Sequence, residues 1–392
     1  MKVAISGAGI AGPTLAYWLH RAGHVPTLIE RAPALRTGGY IIDFWGLGYE
    51  VARRMGIEAA VREVGYDVNA LRAVDSAGRQ QAQVSVDAFR RATDGRYAAI
   101  ARSDLAATIY GAVCDDVETM FGDTITAIDE GPDGVELTFA TAPARKFDLV
   151  IGADGLHSTV RALAFKDAGT GERFLGCMVA ACVVSGYRPR DELTYVTYSI
   201  PGRQVARFAL RDDRTLFLFV GRAEGPGAVG DVDACRAWLR TDFGDAGWES
   251  PQILAAVDAA EDVYFDVVSQ IRLDRWTRGR VALVGDAAAC PSLLAGEGTG
   301  LAMLESYVLA GELLTAQGDY AKAFAAYERR LRSFIEGKQN SALRMVGFFA
   351  AGTKLGIWLR TLGMRAAQIP IVANLVVARA FRDDFDLPDY SM

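Results

Sequence analysis

Histidine is scarce in this 392-residue chain: His20, His24 and His157 are its only three. Scattered imidazoles give little support to a zinc or non-haem iron centre, so no metal site is expected. The five cysteines, Cys114, Cys177, Cys182, Cys235 and Cys290, are odd in number and never spaced as Cys-x-x-Cys. They argue against a disulfide framework and fit a reducing cytosol. An excess of positive charge is missing too. Lys and Arg number 42 against 48 Asp and Glu, and the net charge of −6 gives no basic face for nucleic acid. Long apolar runs are also lacking. Residues 346–359 are interrupted by Lys354, and residues 366–378 are few and include Pro370. Neither reaches the roughly 18 uninterrupted apolar residues of a membrane span. Both are expected to pack as an apolar helical layer, with surface membrane contact through Phe348, Phe349, Leu355 and Trp358 as the lesser alternative. The apolar start runs straight into a glycine fingerprint, which argues against a cleaved signal peptide. No Ser-His-Asp, Cys-His or paired-carboxylate constellation stands out.

What is present begins with glycine. Residues 3–6 predict a strand, Gly7-Ala8-Gly9-Ile10-Ala11-Gly12 a turn, 13–21 a helix and 26–30 a second strand. Gly7 permits the tight turn, Gly9 lets backbone approach a pyrophosphate, and Gly12 allows close helix–strand contact. Ile10 and Ala11 open the helix, whose N-terminus offers free N–H donors and positive dipole. Glu30 ends the second strand, where a carboxylate can hold a ribose hydroxyl; Arg31 beside it could instead suit a 2′-phosphate. The unit predicts dinucleotide binding without choosing between NAD(P) and FAD.

Two further apolar strands end in Gly/Asp turns, at Asp148-Leu-Val-Ile-Gly-Ala-Asp154-Gly155 and Val281-Ala-Leu-Val-Gly285-Asp286. Three such strands, far apart in sequence, suggest one sheet gathering its ligand loops at its carboxyl edge. Segments 178–184, 194–200 and 205–220 alternate in the manner of an antiparallel sheet, and 320–336 is amphipathic at helical period. The expected division is residues 1–167, 168–272, 273–317 and 318–392, the third returning to the first domain and the last helical.

Three segments carry a resemblance to a family. Residues 148–161, ending Asp-Gly-Leu-His-Ser-Thr-Val-Arg161, resemble the Asp-Gly motif of single-component flavoprotein monooxygenases, tetracycline-destructase-like members included. Residues 285–300, Gly-Asp-Ala-Ala-Ala-Cys-Pro-Ser-Leu-Leu-Ala-Gly-Glu-Gly-Thr-Gly, resemble their Gly-Asp motif, and Arg102-Ser-Asp-Leu105 their Arg-x-x-Leu element. The resemblance implies an α/β fold, with a Rossmann-like FAD-binding domain interleaved with an antiparallel-sheet substrate domain and followed by C-terminal helices. It implies that Asp286 accepts hydrogen bonds from the ribityl chain and that Arg102 clasps the phosphate–ribityl region. It places Gly296, Gly298 and Thr299 against the flavin ring with Gly39 alongside, and Asp43 there either as a cofactor-side carboxylate or as a strand-end carboxylate with no such role. Asp154 and Gly155 would support FAD and border the reductant's approach, while Arg161 would form a structural ion pair or, as the lesser alternative, contact the ligand directly. NADPH or NADH is the implied reductant, with no separate nicotinamide domain. O2 and a small aromatic or polyketide-like molecule are the implied substrates, oxygenated through a flavin hydroperoxide.

The pattern departs from that family at Ala289, Leu293 and Glu297, where relatives usually carry His, Pro, and Gln or Met. Glu297 is the candidate catalytic residue, either turned to solvent or transferring a proton. Candidate substrate walls are Tyr195, Tyr198, Arg207, Phe208, Phe217 and Phe219, the last two sharing one strand face. Alternative readings are an FAD-dependent reductase of an isoprenoid and a non-enzymatic, FAD-bearing ligand-sequestering protein.

Overall fold

A computed structural model describes the chain except for residues 37–39, 94, 169–170, 228, 261 and 369–382. Gly39 and most of the apolar stretch 366–378 therefore lie outside the described residues.

The first sheet has six strands, in the order Thr277–Arg278, Val281–Leu283, Leu149–Gly152, Lys2–Ser6, Val25–Glu30, Glu118–Phe121. Every pairing is parallel except the one at Thr277–Arg278. Val3, Ala4, Ile5, Val150, Ile151, Ala282 and Leu283 are fully or almost fully buried, as expected of parallel strands covered on both faces. Ser6 pairs with Gly152 and Gly152 with Leu283, so three carboxyl ends lie side by side. That register is what assembles the site. Helix α1 (Ala11–Arg21) follows the first strand directly.

The second sheet has seven strands, ordered Val263–Ile271, Glu172–Ser185, Arg214–Arg222, Arg203–Ala209, Thr194–Ile200, Ala70–Val74, Gln80–Ser85. Residues 205–220 thus form two strands rather than one run. Asp212 and Asp213 adopt left-handed backbone at the turn between them, conformations that short polar side chains tolerate. The hairpin 70–85 joins this sheet from far upstream, by parallel pairing of Ala70–Val74 with Thr194–Ile200. Phe217 and Phe219 pack against α2 (Val232–Phe243) and α3 (Ser250–Asp258) on one face. The opposite face carries Tyr195, Phe208 and Tyr264 toward Tyr40 and Ile41 of the first half.

Helix α4 (Gly298–Thr315) is buried over nearly its whole length, and α5 (Tyr320–Phe349) runs well beyond the expected amphipathic segment. Helix α6 (Lys354–Ala366) turns back at 107° and lies on the hairpin strand Gln80–Ser85. No single helix among the described residues is long and apolar enough to cross a membrane. The final residues return to the body: Tyr390 packs on Gly311, where any side chain would collide with its ring.

Candidate active site

Gly7 has φ +106°, and a Cβ there would sit 2.5 Å from the Ala153 carbonyl oxygen. A Cβ on Gly12 would sit 1.9 Å from the Gly7 carbonyl oxygen, so neither position admits another residue without backbone movement. Gly9 is different. Its Cβ would meet nothing nearer than Arg102 Nη2 at 3.9 Å. Space, not protein, lies over Gly9. The Arg102 guanidinium borders that space, exposed and without an ion pair or side-chain hydrogen bond among the described residues. Ile10 and Ala11 are buried at the start of α1. Glu30 accepts the Ala8 N–H at 2.9 Å and the Ala32 N–H at 2.9 Å, which fixes its carboxylate beside the glycine turn. Arg31 is exposed next to it.

On the neighbouring strand, Asp154 accepts the Thr159 and Val160 N–H groups at 2.8 and 3.0 Å and the Ser158 hydroxyl. It thereby shares the start of the helix Thr159–Ala164 with the N-cap Ser158, whose hydroxyl accepts the Arg161 N–H. Gly155 follows with φ +80° and open space around it. Arg161 is buried and donates to the carbonyls of Ala287 at 3.0 Å and Leu156 at 2.5 Å. The structural role expected of it is thus met by carbonyls rather than by an ion pair. It joins the Asp154 loop to the Gly285 turn.

Gly285 (φ +63°) donates its N–H to Glu305 at 2.6 Å. Glu305 is buried in α4, and burial pushes its carboxyl up to about 8. The Tyr327 hydroxyl can donate either to the Leu283 carbonyl at 3.0 Å or to Glu305 Oε2 at 3.3 Å. Sequence reasoning missed this support. A carboxylate in an otherwise apolar stretch of α4 was its only signal. The Asp286 carboxylate lies 3.4 Å from where a Gly298 side chain would begin, at the head of α4.

Gly296 takes left-handed backbone, and Glu297 precedes the first turn of α4 that Gly298 and Thr299 begin. The Glu297 side chain is mostly buried and paired with Lys338 Nζ at 3.1 Å. It is not the solvent-facing carboxylate expected as one alternative. Lys338 also holds Asp383 at 2.7 Å and sits over the Trp45 and Phe334 rings. Desolvation raises the Glu297 carboxyl, and the Lys338 charge opposes that rise. A cavity lined by Asp43, Trp45, Leu47, Gly296, Glu297 and Lys338 lies here. Asp43 is exposed on this half-open cavity, and the surrounding protein desolvates its carboxyl and holds it above its ordinary value. The Tyr97 hydroxyl donates to it at 2.7 Å.

Of the six candidate wall residues, Tyr195 and Phe208 stack at 4.3 Å on the face that packs toward Tyr40 and Ile41, and Phe208 itself is buried in the core cluster there. Phe217 and Phe219 do share a face, but it is the far one, under α2 and α3. Tyr198 packs with Val196 and Trp248 away from the Tyr195 cluster. Arg207 is buried in an ion-pair network with Glu249 at 2.8 Å and Asp191 at 2.5 Å. Period-2 alternation separates the two groups; which group faces the cleft depends on packing that sequence alone does not display. Near Tyr40, His157 bonds Asp266 at 3.2 Å, and the Tyr264 hydroxyl donates to the same carboxylate at 3.2 Å.

Comparison with known proteins agrees with this geometry. The family described as FAD binding domain matches residues 1–336. An uncharacterised protein of Mycobacterium tuberculosis is 39% identical over 353 residues, covering 86% of this chain and 91% of its own. A flavin-dependent monooxygenase of Legionella longbeachae is 32% identical over 371 residues, covering 92% and 88%. Among solved structures, tetracycline destructase Tet(55) superposes with TM-score 0.86 at 31% identity, over 99% of this chain and 98% of that one. The chain belongs to the FAD binding domain family and is one of its FAD-dependent monooxygenases.

Proposed function

We propose that this enzyme takes reducing equivalents from NAD(P)H and puts one oxygen atom of O2 into an aromatic or polyketide-like small molecule. The observation that carries the reading is the line of three strand-end turns, at Gly7, Asp154 and Gly285, leading to the head of α4.

The residues fit FAD. The open backbone at Gly9 and the unpartnered Arg102 guanidinium suit a pyrophosphate, with Ile10, Ala11 and the α1 N-terminus adding donors and dipole. Glu30 stands where an adenosine ribose would be held, with Arg31 at its rim. Asp286 would accept hydrogen bonds from a ribityl chain, and Asp154 and Gly155 shape the loop beside it. Gly296, Gly298 and Thr299 would offer backbone N–H groups to the ring's electron-rich edge, opposite Asp43. Bound FAD supplies the redox and oxygen-activating chemistry; the protein supplies position, dryness and polarity. Lys338 counters the negative potential that Glu297 alone would place beside a reduced ring. Tyr195 and Tyr264 would border the substrate side, with Phe208 stacked on Tyr195 from within the core.

The Tet(55) likeness supports a polyketide-like substrate class. NAD(P)H consumption, measured with FAD-loaded protein across phenols and tetracyclines, tests the reading. Oxygen-dependent stimulation by at least one of these substrates is expected. Reduction of an isoprenoid double bond without oxygen uptake would replace it.

A further inference from the structure

A second cavity opens beside α6, some way along the same sheet face from Tyr195. Thr197 and Ser199 follow Tyr195 on that face, two and four residues further along their strand, and both line the cavity. Ala73, Ile357, Trp358, Leu362 and Arg360 complete its apolar and cationic sides. The cavity holds about 430 Å³, within the range of small-molecule sites.

Its charge is one-sided. Lys354, Arg360 and Arg365 all border it, in a chain whose net charge is −6. The one carboxylate on the rim, Asp75, is already paired with Arg79 at 2.9 Å. Arg360 is the telling residue. It donates to the Gln204 side chain at 3.0 Å, the Phe348 carbonyl at 2.7 Å and the Ser199 hydroxyl at 2.7 Å. Its Nε has no partner, and no carboxylate pairs with it among the described residues. Partly buried arginines are ordinarily compensated by an anion, because desolvating an unpaired cation is costly. Desolvation does lower its affinity for the proton here. Trp358 stands on the rim 58% exposed, a large apolar ring turned to water.

From these observations we infer that the groove between α6 and the sheet binds an aromatic anion, its acidic oxygens held by Arg360 and its rings covered by Trp358 and Leu362. The ligand class is an organic anion, such as a carboxylate, on an aromatic body. The inference stands apart from the monooxygenase reading, which places its substrate beside Tyr195 and Tyr264 rather than in this groove.

Two fluorescent probes test it on the full-length, FAD-loaded protein. Anilinonaphthalene sulfonate is an aromatic anion, and N-phenylnaphthylamine has the same rings without the charge. Both should bind, the anion more tightly and with a marked salt dependence. Arg360→Gln should weaken the anion roughly ten- to a hundredfold, the range of a lost charge-assisted hydrogen bond, and leave the neutral probe unchanged. Arg360→Lys should recover part of the loss, which separates charge from folding defects because it keeps the cation. Trp358→Ala should weaken both probes. Equal affinity for the two probes in wild type would overturn the inference, as would an Arg360→Gln effect that is the same for both. Neither probe depends on turnover, so a failed oxygenation assay leaves this result standing, and the reverse.

Discussion

Around Gly7 the backbone itself is the constraint, whereas around Tyr195 the constraint is which face of a sheet a side chain takes. A Cβ at Gly7 meets the Ala153 carbonyl at 2.5 Å whatever its chemistry. In the second sheet alternation divides the side chains between two faces, each packed into a different cluster. The cofactor end of the cleft is thus set by local sterics that glycine announces, and the substrate end by tertiary packing.

The largest effects should come from breaking the backbone side of this contrast. Gly7→Val and Gly12→Val force overlaps with backbone and should abolish both folding yield and FAD content. Gly9→Val should separate the two, because its side chain enters open space over the pyrophosphate position: FAD occupancy collapses while circular dichroism keeps most of its signal. Equal damage at Gly7 and Gly9 would erase the distinction drawn between them.

Next comes the far face of the sheet. Phe217→Ala should cost about 3–5 kcal/mol of stability, as for a buried aromatic, read as a lower denaturation midpoint. Substrate KM should change little. Tyr195→Ala, on the cleft face, should do the opposite. A raised KM in Phe217→Ala alone would mean that the faces have been assigned the wrong way round.

A smaller effect is expected at Asp286. Losing a charge-assisted hydrogen bond is worth about 1.5–3 kcal/mol, so Asp286→Ala should weaken FAD by about one to two orders of magnitude. An unchanged Kd would leave it a helix-terminal residue only.

The subtlest prediction concerns Glu305. Its carboxyl moves from an ordinary 4.5 to about 8 on folding, so the unfolded chain releases this proton first. Wild-type stability should therefore fall as pH rises from 4.5 to 8 on account of this group, and level off above. Glu305→Gln keeps the contact to the Gly285 N–H and should remove that slope, leaving the mutant more stable than wild type near pH 8. A mutant whose Tm tracks wild type across this window would show that Glu305 is charged throughout.

The three glycine turns were legible because each combines an apolar strand with residues that only one backbone geometry requires. Their adjacency followed from the rule that ligand loops gather at a parallel sheet's carboxyl edge. Lys338 and Asp383 were not legible. They approach Glu297 from 41 and 86 positions away, with no motif linking the three. Arg161 was legible as structural but not in its partners, since backbone carbonyls leave no trace in sequence. The surroundings of the candidate wall residues were not legible for a similar reason: alternation puts Phe217 and Phe208 on different faces, and only tertiary packing shows that both are buried, one with α2 and α3 and the other against Tyr66.

The central claim is oxygen insertion at this cleft. Turnover of an accepted phenol or tetracycline under isotopically heavy dioxygen, with NAD(P)H and the FAD-loaded protein, tests it most directly. One heavy oxygen atom per product molecule is predicted by mass spectrometry, with the other appearing in water. A product that carries two added hydrogens and no heavy oxygen, or NAD(P)H oxidation that never modifies the substrate, would contradict it.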